Sequence, residues 1–154
     1  MRSIVLGVTL ALGLAGCSFD IAPRATHSLA AVSTADAASA AAMISAYRTA
    51  HGLPAVAVDA SLNRAAEAQA RAVAQAGQLS HGDFAGRMRQ YGVSGGAAEN
   101  LSAGSDTVAE AVARWKASPG HNSNLLMPGA RRIGLARADS DSRYGRYWAL
   151  VLSQ

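Results

Sequence analysis

The sequence predicts an α+β fold, with helices leading and a strand hairpin closing the chain. Three observations carry that prediction. Apolar residues recur at helical spacing in several stretches, each marked by a start or stop signal. Two short apolar runs, Ile133 to Ala138 and Tyr147 to Leu152, lie near the end of the chain. The segment between them, Asp139 to Arg146, is polar, so the two runs read as a hairpin. The sequence contains no internal repeats.

The first helix is expected from about Asp36 to His51. Met43, Ile44 and Tyr47 share one face, Gly52 supplies a stop, and Pro54 follows. Val56 and Val58 then alternate briefly as extended chain. Asp59 can cap a second helix reaching about Ala76, with Leu62, Ala66 and Val73 on its buried face and Gly77 at its end. Its alanine content favours close packing on a neighbouring layer. Asp83 can cap a short helix that turns Phe84, Met88 and Tyr91 inward, and Gly92, Gly95 and Gly96 break it. Thr107-Val108-Ala109-Glu110 fits a capping box. The helix it opens carries Val108, Val112 and Trp115 on one side. Ser118-Pro119-Gly120 ends it, since proline bars its predecessor from helical geometry. Trp115 and Trp148 are expected in the core.

The N-terminal residues do not belong to this pattern. Arg2 precedes an apolar run from Ile4 to Leu14, too short to span a bilayer but suited to a signal-peptide core. Leu14-Ala15-Gly16-Cys17 resembles a bacterial lipobox, and Cys17 is the single cysteine. Residues 1–16 are therefore expected to be a lipoprotein signal peptide, with acylation at Cys17 anchoring the protein to the membrane. Ser18 follows in place of the aspartate that, by resemblance to enterobacterial lipoproteins, would retain the protein at the inner membrane, so the outer membrane is expected. Residues 17–38, rich in Ala, Ser and Thr, read as a flexible tether. Residues 39–154 are left as one domain, expected to be monomeric.

One cysteine excludes an intramolecular disulfide, so the domain relies on core burial. The 14 basic residues outnumber the 10 acidic ones, and Lys116 is the sole lysine. The arginines are dispersed, with no basic stripe interleaved with aromatics, so no nucleic-acid partner is expected. An anionic lipid or acidic envelope polymer fits the basic balance better, and a solvated surface that keeps the protein soluble fits it better still.

The chemistry-bearing residues cluster in loops. His81 sits in Ser80-His81-Gly82 between two helical patterns. His121 closes Trp115-Lys116-Ala117-Ser118-Pro119-Gly120-His121. Between them Glu99-Asn100-Leu101 follows Gly95-Gly96. Glu99 is one of three glutamates, and Glu67 and Glu110 are explained by exposed helical faces. Imidazole suits proton transfer and metal ligation, and a carboxylate can orient it. Ser118, near His121, lacks the Gly-x-Ser-x-Gly setting of an activated nucleophile and reads as a turn residue. Asn100 reads as a loop-fixing residue at the cleft.

These segments, together with Tyr47-Arg48, Gly52-Leu53-Pro54, Asn124-Leu125-Leu126, Ile133-Gly134 and Tyr147-Trp148, resemble the bacterial branch of the CAP superfamily. That domain is shared by cysteine-rich secretory proteins, antigen 5 and pathogenesis-related 1 proteins. The resemblance runs from about Ala40 to Gln154. It implies a three-layer α-β-α sandwich around a central antiparallel sheet, with His81 and His121 facing each other in a surface cleft. It also implies a metal set of His81, Glu99 and His121. The fourth member of the family's set, a glutamate three residues after the tryptophan, is Ser118 here, so any zinc binding is expected to be weak. No other cofactor is expected. The function expected is a non-enzymatic, envelope-anchored module whose cleft, with His81, Glu99, Asn100, Ser118 and His121, binds a lipid, an envelope component or a protein. The competing reading is a metal-assisted hydrolase acting on an envelope peptide or lipid.

Overall fold

The run Tyr147 to Leu152 is apolar at both alternations, which suits a strand covered on both faces. A computed structural model describes residues 26–154 and places this run in the middle of a sheet. In chain order the elements are β1 (Leu29–Ser33), α1 (Ala37–Ala50), β2 (Ala57–Val58), α2 (Ala60–Ala76), α3 (Phe84–Gln90), β3 (Ala97–Ala103), α4 (Val108–Ala117), α5 (Pro119–Leu125), β4 (Arg132–Ser140) and β5 (Arg146–Ser153). The sheet order is β1-β4-β5-β3, and all of these pairs are antiparallel. The two-residue β2 pairs parallel to the start of β4, the one departure from the expected antiparallel sheet.

Because strand side chains alternate, β4 and β5 feed two cores. Ile133, Leu135, Trp148, Leu150 and Leu152 pack under α1, α4 and α5. Ala136, Ala138, Tyr147, Ala149 and Val151 pack under α2 and α3. The result is the expected α-β-α sandwich. Trp115 and Trp148 are both buried, and their indole N–H groups donate to the carbonyls of Leu101 and Ser105, at 3.0 and 2.8 Å. Those bonds remove the cost of burying a polar atom with each ring.

The capping signals form as their residue types dictate. Asp59 accepts from the Leu62 N–H at 2.9 Å, and Asp83 from the Gly86 N–H at 2.8 Å. Gly77 ends α2 in the left-handed conformation, with φ of 66°. Thr107 accepts from the Glu110 N–H, but Glu110 reaches back to the N–H of Asp106, one residue beyond the usual capping-box partner.

Three expectations need correction. The segment read as tether through residue 38 contains β1, which pairs with β4 from Ser33↔Arg137 to Leu29↔Ser140, and the first residues of α1. Its apolar alternation is too short and alanine-rich to stand out in sequence. The loop after Ser118 is instead helix α5, because Pro119 occupies its first turn, where a missing N–H costs nothing. The Glu99-Asn100-Leu101 stretch is not a loop either but lies inside β3, an edge strand. The signal segment 1–16 and Cys17 lie outside the described residues. Among the described residues, no helix is long and apolar enough to cross a membrane.

Candidate functional site

β3 lies at the sheet edge. His81 comes from the α2–α3 connection on one side, and His121 from α5 on the other. Glu99 sits between them on β3. The side chain of Glu99 is buried, at 2% exposure. One carboxylate oxygen takes the His81 Nδ1–H at 2.8 Å, and the other takes Arg87 Nη2. Arg87 Nη1 also donates to the His81 carbonyl at 3.3 Å. His81 is thus oriented by a carboxylate that a guanidinium neutralises, and its Nε2 edge is left toward solvent.

His121 is held differently. Asn100 is fully buried and donates to the His121 carbonyl at 3.0 Å. Asn100 in turn accepts from Asn124, which also donates to the Glu99 carbonyl at 3.2 Å. Tyr47 donates to Asn122 at 2.9 Å. The fully buried Arg48 donates to the carbonyls of Leu125, Met127, Ala130 and Pro54. These bonds fix both ends of α5 and so fix its backbone, while the His121 ring makes no hydrogen bond among the described residues. The His121 proton affinity is lowered, first by burial and second by the charge on His81.

His121 and Ser118 line an open cleft of about 520 Å³ with Leu79, Leu101, Trp115, Arg114 and Tyr144. His81 and Glu99 stand beside this space and not in its lining. Asn100, expected at the cleft, is shut away from it and acts only on backbone and Asn124. Ser118 stands just before the first turn of α5, with no side-chain cap bond there and none to His121, so the two do not form a serine–imidazole pair. Among the described residues no three His, Cys, Asp or Glu side chains are arranged to hold a metal ion. In the expected set of His81, Glu99 and His121, each Glu99 oxygen already accepts a hydrogen bond, one from His81 and one from Arg87.

Sequence reasoning missed Arg87, Arg48, Asn122 and Asn124. A signal for the two arginines existed. Arg87 falls on the Phe84–Met88–Tyr91 stripe, and Arg48 on the Ile44–Tyr47 stripe. A charge on an apolar helical stripe requires a buried partner.

The family model of the Cysteine-rich secretory protein family, CAP, matches residues 24–152. The chain belongs to this family. Several solved structures share its fold. An outer surface protein from Borrelia burgdorferi superposes with a TM-score of 0.69 at 20% identity, over 77% of this chain and 92% of that one. An extracellular protein containing an SCP domain from Bacillus anthracis str. Ames gives 0.67 at 21% identity, over 76% of this chain and 39% of that one. A cysteine-rich secretory protein from Staphylococcus aureus subsp. aureus Mu50 gives 0.62 at 18% identity, over 75% and 37%. This CAP chain thus spans less than half the length of the latter two. No curated protein matches the sequence.

Proposed function

We propose that this CAP protein is an exported, envelope-attached binding module whose cleft takes the apolar part of a lipid or other envelope component. One observation carries the reading. Among the described residues three large hydrophobic side chains are exposed, Val58, Leu79 and Tyr144, and two of them border the same cleft. Leu79 is 46% and Tyr144 47% exposed. Clustered exposed apolar surface beside a few polar groups is the usual character of a ligand site, whereas single exposed side chains need no explanation. Leu101 and Trp115 form the floor, and Arg114 and His121 supply polar groups at its edge. The largely apolar lining supports binding as the role of the cleft. Anchoring through acylated Cys17 and an outer-membrane location complete the proposal. They rest on the lipobox-like segment, and the outer-surface and extracellular relatives of the same fold agree with export.

The test is to purify the protein from its host and identify co-purifying lipid by mass spectrometry, beside a Leu79→Ser, Tyr144→Ser variant. The wild type is expected to carry a defined lipid that the variant loses. Equal lipid content in both would remove the cleft from the reading.

A further inference from the structure

Glu99 is a buried carboxylate with no free oxygen. Its partner Arg87 is itself nine-tenths buried, at 10% side-chain exposure. Guanidinium stays charged at any ordinary pH and is the cation best matched to a carboxylate. Arg87 also sits over the Phe84 ring, 5.6 Å from the centroid, so an apolar wall backs the ion pair. Its Nε is the one buried side-chain polar atom among the described residues without a hydrogen-bond partner. The guanidinium therefore keeps this position although one donor goes unmet. The contact with Glu99, not complete hydrogen bonding, holds it there.

We propose that Arg87 is a built-in replacement for a divalent cation, and that it keeps metal out of the His81–Glu99–His121 constellation. The inference is independent of the lipid reading. A metal here would need a Glu99 oxygen, yet one is committed to His81 Nδ1 and the other to Arg87. It would also sit against a fixed positive charge, a repulsion that grows in a partly buried setting. Ser118 stands where the family resemblance implies a second carboxylate, so the ligand set is short by one acid and the remaining acid is neutralised. Both departures act in the same direction. With Glu99 neutralised, no other carboxylate among the described residues lines the cleft, and two imidazoles alone make an incomplete ligand set.

The experiment is zinc chloride titration of the full-length protein by calorimetry and thermal shift, for wild type, Arg87→Met and Arg87→Lys. Wild type is expected to show no zinc binding that depends on His81. Arg87→Met removes the charge while keeping the apolar stem, and should raise zinc affinity at least about tenfold. That gain should vanish when Glu99→Gln or His81→Ala is added. Arg87→Lys keeps a positive charge and should stay zinc-poor. Wild-type zinc binding as tight as that of Arg87→Met, or a folded Arg87→Met that gains none, overturns the proposal. If Arg87→Met does not fold, nitrogen NMR of the wild type decides. Histidine signals unmoved by equimolar zinc support Arg87 as the replacement cation, and His81 and His121 moving together at that ratio refute it.

Discussion

The two helical layers of this CAP domain pack on the same sheet by different means. Under α2 the contact is made by small residues. Ala65, Ala66, Ala70 and Ala74 are fully buried, and Gly134 on β4 lies against the backbone of Leu62 and Asn63. A methyl group built on Gly134 would stand 2.0 Å from the Leu62 carbonyl carbon. Under α1, α4 and α5 the contact is made by large side chains, Trp115, Trp148, Ile44 and Leu125, around the buried Arg48. The first layer relies on close backbone approach and rigid secondary structure. The second depends on filling volume and on satisfying carbonyls at the end of a short helix. Each layer carries one of the two histidines, and of the two only His121 lines the cleft. The difference therefore reaches the site: His81 is fixed through its ring, and His121 through its backbone.

That contrast can be broken from either side. Trp115→Ala empties the layer built on volume and should cost about 3–5 kcal/mol, measured by denaturant unfolding. It also removes the cap on the Leu101 carbonyl. A loss below about 1 kcal/mol would show that α4 does not depend on the indole. Gly134→Ala attacks the other layer by adding a single carbon. The Cβ meets helix backbone, which cannot rotate away, so the loss should reach the upper part of the ~1–3 kcal/mol range for overpacking. The melting temperature of this variant decides it, and an unchanged value would mean that α2 is free to move off the sheet.

The smallest expected effect sharpens the comparison at the cleft itself. His121 in the folded protein should titrate below the ordinary imidazole value of 6.5. Burial is the larger cause and the His81 charge the smaller. The unfolded chain then takes up this proton first. The contribution of His121 to stability is complete above pH 6.5, falls as the pH drops from there toward the lowered folded value, and is level below it. His81→Ala should move the His121 titration part of the way back up, because burial remains. Proton NMR of the ring signals reads both curves. An identical His121 titration in wild type and His81→Ala would deny that the charge on His81 reaches the His121 ring.

Much of this fold was legible in residue pattern. The three long helices, the short one after Asp83, and the final hairpin follow from periodicity, caps and glycine stops. These are local signals, and the local preferences agree with the final structure. β1 and β3 were not legible. Leu29–Ser33 and Ala97–Ala103 are poor in β-branched residues, and pairing partners distant in sequence decide them. β3 is also protected at its free edge by side chains from other elements. Trp115 takes the Leu101 carbonyl and Asn124 the Glu99 carbonyl.

The sequence carried the family and the layer architecture, and it offered two imidazoles and one carboxylate as candidate site residues. Those depend on residue type in order along the chain, which sequence records directly. It did not determine what the carboxylate does. Glu99 has two oxygens and several candidate partners, and the choice between a metal and Arg87 is one of distance and burial. Only the packing of α3 against the edge of the sheet brings that guanidinium to it. Asn100 shows the same division. Its place beside Glu99 was visible in sequence. Its burial, and its hold on the His121 backbone 21 residues away, exist only once α5 closes over β3.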